Sequence, residues 1–335
     1  MIKNFFSHVP DLNQKTILIT GGTGSFGVVF LKRIIERFSP KKLIIFSRDE
    51  LKQYELAIQF PEKKYPFIRY FIGDVRDYNR LEMAFRDVDI VVHAAALKHV
   101  SIAEYNPYEC IHTNVIGAEN IVRAALRNQV KKVIALSTDK AVNPINLYGA
   151  SKLAAEKIFV AANNIRGSDP TIFSVVRYGN VIGSRGSVLP LFRKLIQEGI
   201  KSLPITDPRM TRFWITLPQS VDFVLSSIAM MQGGEIFIPK IPSMKIIDIA
   251  QWFSSDIDTH TIGIRPGEKL HEWLLTGDES SQTVELPDRY IIEPFCEGPY
   301  KSNEQNPKVT KGYIYSSETN SEWIEQNQFQ EWLNG

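Results

Sequence analysis

Six short, continuously apolar runs punctuate the first half of the chain: TILIT (16–20), KLIIFS (42–47), FIRYFIG (67–73), DIVVHAAA (89–96), KVIALST (132–138) and FSVVRYG (173–179). Between them, apolar residues recur at three- and four-residue spacing, as in SFGVVFLKRIIERF, NVIGAENIVRAALRN and YGASKLAAEKIFVAANN. Runs without polar alternation suit strands covered on both faces, and the intervening stretches suit amphipathic helices. The pattern therefore predicts an α/β fold with a doubly wound parallel sheet over residues 1–180. Beyond about Val181 the rhythm changes. Helical VLPLFRKLIQEG and PQSVDFVLSSIAMM alternate with short strands and Pro-containing turns (KSLPITDPRM, FIPKIPSM). This predicts a smaller C-terminal α/β substrate-binding lobe over 181–290, some of whose segments return to the main sheet. Residues 291–335 are polar and rich in Asn, Gln and Glu, which reads as a surface extension.

Composition narrows the picture by exclusion. The 335 residues are 44% hydrophobic and 23% charged, with a net charge of +2, so neither nucleic acid nor a membrane surface is an expected partner. No apolar run reaches the ~18 residues that span a bilayer. The N-terminal MIKNFFSHVPDLNQK lacks the apolar core of a signal peptide, so the expected location is cytoplasmic. Cys110 and Cys296 have no metal-ligand spacing and read as reduced core residues; no metal site is expected.

The first chemical signal is ILITGGTGSFG, a strand running into a helix with glycines at 21, 24 and 27. Gly21 permits a tight turn, Gly24 lets backbone approach a pyrophosphate, and Gly27 allows close helix–strand packing. Thr23, Ser25 and Phe26 complete a loop whose free N–H groups hold an anion. The sheet is thus of Rossmann type. An acidic residue at the end of the second strand, about 20 residues on, holds the ribose hydroxyls of NAD in such domains. Here that strand ends IIFSRDELK. Ser47, Arg48 and Lys52 suit a 2′-phosphate and favour NADP, while Asp49 and Glu50, beside Leu51, leave NAD open. Asp74 and Val75 flank the adenine, and Ala94, with Ala95 and Ala96, keeps side chains short beside the cofactor.

The second signal is LSTDKAVNPINLYGASK. Tyr148 and Lys152 lie one helical turn apart, so a lysine charge can lower the phenol pKa and let Tyr148 take a proton from a sugar hydroxyl as hydride leaves carbon. With the glycine loop, this pair resembles the extended short-chain dehydrogenase/reductase superfamily, in its nucleotide-sugar branch. TGGTGSFG, SRDELKQ, GDVRD, HAAALKHV, STDKAVNPINLYGASK, RYGNVIGSRGSV and IRPGEKLHE, over roughly residues 15 to 290, are similar to the inverting UDP-N-acetylglucosamine 4,6-dehydratases. These enzymes make the first intermediate of pseudaminic acid and related pathways.

That resemblance implies a lyase that oxidises carbon 4, eliminates water across carbons 5 and 6, and returns hydride to carbon 6. Retaining dehydratases of the superfamily carry Thr-Asp-Glu where this chain has Thr138-Asp139-Lys140. The substitution implies Lys140 as base, its pKa lowered by burial or by Lys152 or Lys98. It implies a protonated Asp139 as acid toward the leaving hydroxyl, and Thr138 on the carbon 4 oxygen. Lys98 is implied near cofactor and sugar, and Asn180 and Val181 at the end of the sixth strand. The turn Arg185, Gly186, Ser187, Val188, Leu189 and Pro190 is implied near the diphosphate or uridine, and Arg212, Arg265 and Glu268 around phosphate and ribose. The implied partner is UDP-N-acetylglucosamine, and the implied assembly a homo-oligomer. Two rivals remain: a nucleotide-sugar 4-epimerase, which has no use for the Asp139-Lys140 pair, and a non-catalytic NADP-binding regulator.

Overall fold

The structure, a computed structural model, describes residues 4–5, 8–184, 186–253, 257–295, 300–301 and 306–334. In chain order the first half contains β1 (Thr16–Thr20), α1 (Ser25–Arg37), β2 (Lys42–Ser47), α2 (Glu50–Gln59), β3 (Ile68–Ile72), α3 (Tyr78–Ala84) and β4 (Ile90–His93). A helical block follows: α4 (Val100–Tyr105), α5 (Pro107–Ile111), a π-turn (His112–Ile116) and α6 (Gly117–Arg127). Then come β5 (Lys132–Thr138), α7 (Leu147–Ile165) and β6 (Ile172–Tyr178). The apolar runs thus become strands because both faces of the sheet are covered; β1 is buried along its whole length.

The second half contains β7 (Asn180–Ile182), α8 (Val188–Gln197), β8 (Ser202–Ile205), β9 (Thr211–Thr216), α9 (Leu217–Met230) and β10 (Ile236–Pro239). It continues with β11 (Ser243–Lys245), α10 (Ile246–Phe253), β12 (Asp258–Thr261), β13 (Trp273–Leu275), β14 (Thr283–Glu285), β15 (Arg289–Ile292), β16 (Tyr315–Ser316) and α11 (Gln326–Asn334).

The large sheet has the order β14-β15-β10-β6-β5-β4-β1-β2-β3. Its strands from β3 to β10 are parallel, and β15 and β14 extend it antiparallel. The order reverses between β1 and β4, the switch point at which doubly wound sheets open a ligand crevice. Segment 181–290 divides. Helix α9 packs on α1, with Arg33 Nε 2.8 Å from Asp222 Oδ1, and β10, β14 and β15 join the large sheet. The three-stranded sheet β11-β9-β7 and the pair β12-β8 build the smaller lobe around Leu189, Phe192, Leu203, Trp214 and Ile249.

The tail departs from its reading as a surface extension. β16 pairs with β13, and Tyr315, Ile324 and Phe329 are buried. A few apolar residues carry this packing, too sparse to alter the segment's polar average. Among the described residues no helix is long and apolar enough to cross a membrane, and no His/Cys/Asp/Glu group suits a metal ion. Cys110 is buried with a free thiol, and Cys296 lies outside the described residues.

Candidate active site

The carboxyl ends of β1 to β6 open onto one cavity of about 670 Å³. At one end lie Gly21, Thr23, Gly24, Ser25 and Phe26. Gly21 has φ +66°, and a Cβ there would come within 2.9 Å of the Ala95 nitrogen. Gly27 lies behind the loop, where a Cβ would sit 2.3 Å from the Gly22 carbonyl oxygen, so it serves the packing of α1 on β1. Helix α1 begins at Gly24 with no side-chain cap, leaving first-turn N–H groups for an anion. These features fit a dinucleotide pyrophosphate.

The rim continues through Ser47, Arg48, Asp49, Lys52, Asp74, Val75 and Ala94. Ser47 Oγ is 2.8 Å from Thr23 Oγ1. Asp49 caps α2, accepting from the Lys52 backbone N–H at 3.0 Å, and also pairs with the Lys52 ammonium. Arg48 is 56% exposed, with Nη1 3.5 Å from Asp74 Oδ2. Partial burial pushes Asp74 up, but hydrogen bonds and charge from Arg76, with Arg48 beyond, hold its carboxyl below the usual range. Glu50 and Leu51 point away: both are exposed and neither lines the cavity.

The other end holds the proton-transfer groups. β5 delivers Thr138, a 3₁₀ turn carries Asp139 and Lys140, and Asn146 caps α7 so that Tyr148 and Lys152 face inward. Thr138 Oγ1 donates to Asp139 Oδ1 at 2.9 Å, and Lys140 Nζ donates to the same oxygen at 3.1 Å. Lys140 lines the cavity. Asp139 does not; its side chain is fully enclosed, and Oδ2 has no hydrogen-bond partner among the described residues. Lys152 Nζ donates to the Leu136 carbonyl at 2.7 Å.

Electrostatics corrects two expectations. Burial drives Lys140 down, but the carboxylates of Asp139 and Glu272 outweigh it, so its pKa lies well above the ordinary lysine range. The cation opposing them is Arg212, in place of Lys152 or Lys98. Burial pushes the Tyr148 phenol up to about 12, and the groups that pull against it are Lys140 and a Thr138 hydrogen bond, where Lys152 was expected. Burial also brings Lys152 down to about 8, against Glu156, and lowers Lys98, which lines the cavity.

Asn180 and Val181 line the cavity, but from β7 of the second sheet, which begins two residues past the end of β6. Gly186 and Ser187 line it too, and Arg185 lies outside the described residues. Val188, Leu189 and Pro190 instead open α8, with Leu189 in the lobe's core. Arg212 is withdrawn as well. It is buried, donating to the Thr211, Leu270 and Lys269 carbonyls at 2.7, 3.0 and 2.9 Å. Arg265 and Glu268 pair at 2.8 Å off the cavity, with Arg265 67% exposed. Their loop positions the site indirectly, since the Gly267 carbonyl accepts from the Asn146 amide at 2.8 Å at the start of α7. The residue that reasoning from sequence missed is Glu272. It stands in the same IRPGEKLHE stretch, is buried, and places Oε1 3.6 Å from Lys140 Nζ.

Fold and site together define a dinucleotide-binding α/β protein of the short-chain dehydrogenase/reductase type, with a tyrosine, two lysines and an aspartate gathered where the bound dinucleotide would end. The chain belongs to the polysaccharide biosynthesis protein family, whose model matches residues 17–294. It is 57% identical over 330 residues to the UDP-N-acetylglucosamine 4,6-dehydratase (inverting) of Campylobacter jejuni subsp. jejuni serotype O:2, covering 96% of this chain and 98% of that one. A UDP-glucose 4-epimerase of Rickettsia bellii is 47% identical over 286 residues, 83% of each chain. Among solved structures, Pen from Bacillus thuringiensis matches with a TM-score of 0.89 at 39% identity, over 96% of this chain and 98% of that chain.

Proposed function

We propose that this protein is an inverting UDP-N-acetylglucosamine 4,6-dehydratase, an NADP-dependent lyase that yields UDP-2-acetamido-2,6-dideoxy-β-L-arabino-hex-4-ulose. The observation that carries the reading is Lys140 facing the cavity beside Tyr148, with Asp139 behind it. A 4-epimerase needs the tyrosine and has no work for the Asp139–Lys140 pair. A regulator needs neither.

A bound nicotinamide supplies a hydride acceptor at carbon 4 and a donor at carbon 6. Tyr148 takes the carbon 4 hydroxyl proton, helped by the charge of Lys140 and the Thr138 hydrogen bond. Substrate closes the cavity to water, and Lys140 passes its proton to Asp139 across their 3.1 Å contact, which removes both buried charges at once. The neutral amine takes the carbon 5 proton, acidified by the 4-keto group. The ammonium so formed gives a proton to the carbon 6 hydroxyl, which leaves as water, and Asp139 returns its proton to Lys140. Asp139 thus acts through Lys140, because it is enclosed away from the cavity. Tyr148 then gives the proton it took to carbon 5 on the opposite face, which inverts that centre and returns every group to its starting state.

Incubation with UDP-N-acetylglucosamine in deuterated water, read by NMR, tests this. The expected product is the 6-deoxy-4-keto sugar carrying deuterium at carbon 5. UDP-N-acetylgalactosamine would establish the epimerase instead, and absence of turnover with any UDP-sugar would favour the regulator.

NADP is the cofactor form we assign. Asp49 is engaged by its own helix, whereas Arg48 stands half-exposed at the rim for a 2′-phosphate. Calorimetry should find NADP binding about 10- to 100-fold tighter than NAD, the worth of one or two charge-assisted hydrogen bonds. Equal affinities would reject the assignment. The free Cys110 thiol and the UDP-sugar substrate suit the cytoplasm, with the product entering pseudaminic acid synthesis. Exposed Ile102, Tyr105 and Tyr108 suit a homo-oligomer.

A further inference from the structure

We propose that Glu272 is a positioning residue that holds Lys140 Nζ in the cavity from the segment before β13 and stabilises the ammonium each time it forms. This inference rests on the dehydratase reading for its catalytic consequence, though not for the contact itself. Lys140 meets two carboxylates of different origin: Asp139 Oδ1 at 3.1 Å from its own turn, and Glu272 Oε1 at 3.6 Å from the residue before β13. Glu272 is 2% exposed, so its charge acts through little solvent. Its backbone is fixed on both sides: its N–H donates to Ser317 Oγ at 2.9 Å, and its carbonyl accepts from the Ser317 N–H at 2.8 Å.

The rest of the cluster sets two cations around Glu272. Lys269 Nζ lies 3.6 Å from Oε2 and donates to the Val142 carbonyl, just beyond the catalytic turn. Arg212 Nε stands 3.9 Å from Oε1. The charged and titratable groups around Lys140 are therefore Asp139 on its turn, Tyr148 on α7, Arg212 on β9, and Lys269 and Glu272 from the loop before β13. Only two of these, Asp139 and Glu272, are carboxylates. When Asp139 takes the lysine proton, it ceases to hold the amine by charge. Among the described residues Glu272 then remains as the one carboxylate that favours re-formation of the ammonium as the carbon 5 proton is taken. Without it, Lys140 becomes a weaker base in a looser position.

The test reads Lys140 directly. Competitive acetylation of the intact protein across a pH series, quantified at Lys140 by mass spectrometry, follows the neutral amine without any substrate. Glu272→Gln should move the Lys140 labelling midpoint at least about one pH unit lower, and Glu272→Asp should restore most of that. On UDP-N-acetylglucosamine, Glu272→Gln should lower kcat about tenfold or more with KM little changed. In a Lys140→Met background, Glu272→Gln should have no further effect on turnover or on cofactor affinity. A labelling midpoint equal in wild type and Glu272→Gln would overturn the inference, as would an equal kcat. Should Glu272→Gln fail to fold, Glu272→Ala takes its place, and an unshifted Lys140 midpoint or an undiminished kcat in that variant would overturn it as well. A shifted midpoint in an enzyme whose wild type does not dehydrate the sugar would reject the substrate reading and leave the contact standing.

Discussion

Lys140→Ala is expected to lower dehydration of UDP-N-acetylglucosamine about 10²- to 10⁴-fold, the usual worth of a positioned proton-transfer group. The loss should fall on elimination and not on binding. The glycine loop and Arg48 lie at the other end of the cavity, so cofactor affinity should change little. In the proposed mechanism oxidation at carbon 4 depends on Tyr148, which loses the charge of Lys140 but keeps its Thr138 hydrogen bond. That step should slow without stopping, and reduced nicotinamide should then accumulate with the 4-keto sugar trapped before water leaves. Lys140→Arg should not rescue turnover, because a guanidinium does not give up its proton in a protein. Turnover of the alanine variant within about tenfold of wild type would remove Lys140 from the proton-transfer steps.

The periodic part of the chain disclosed the fold because parallel strands buried on both faces leave an unbroken apolar signature. Residues 16–20, 42–47 and 132–138 emerged as strands with the boundaries their sequences suggest. The glycine loop and Tyr148/Lys152 were legible for a related reason: each is a local spacing on one turn or one helix. What sequence could not disclose is where a side chain goes once lobes meet. Arg212 has the chemistry of a phosphate clamp, yet it spends its guanidinium on three backbone carbonyls. Glu272 lies 132 positions beyond Lys140 in the chain, and no local pattern announces that a carboxylate from one will meet the amine of the other. The sign of the Lys140 shift was illegible for the same reason, since it depends on which carboxylates surround the amine in space. The tail was misread because a segment's average polarity hides single anchors such as Phe329.

A buried ion cluster outside the cavity anchors α7. Arg177 on β6 is 1% exposed and donates to both oxygens of Glu156 on α7, at 3.1 and 2.7 Å, and to both oxygens of Glu279, at 3.1 and 3.0 Å. A further bond reaches the Leu274 carbonyl at 3.0 Å. One guanidinium thus ties α7 to the large sheet and to the 274–279 segment, one helical turn beyond Lys152. Arg177→Met should destabilise the protein by about 3–5 kcal/mol, because Glu156 is left buried without its counter-charge. Lysine should not rescue it, since a single ammonium cannot form two bidentate pairs. The deficit should depend on pH. Burial raises the Glu279 pKa, but the charge and hydrogen bonds of Arg177 bring it below the usual value. That lowered pKa contributes stability that is present above the unfolded value of about 4.3 and is lost as pH falls through the folded one. In Arg177→Met that contribution is absent, and acid relieves the stranded carboxylates, so the gap to wild type should narrow below about pH 4. Urea unfolding of both proteins at neutral and acid pH measures this. A neutral-pH loss under about 1 kcal/mol, or a gap that widens in acid, would show that this buried cluster does not anchor α7.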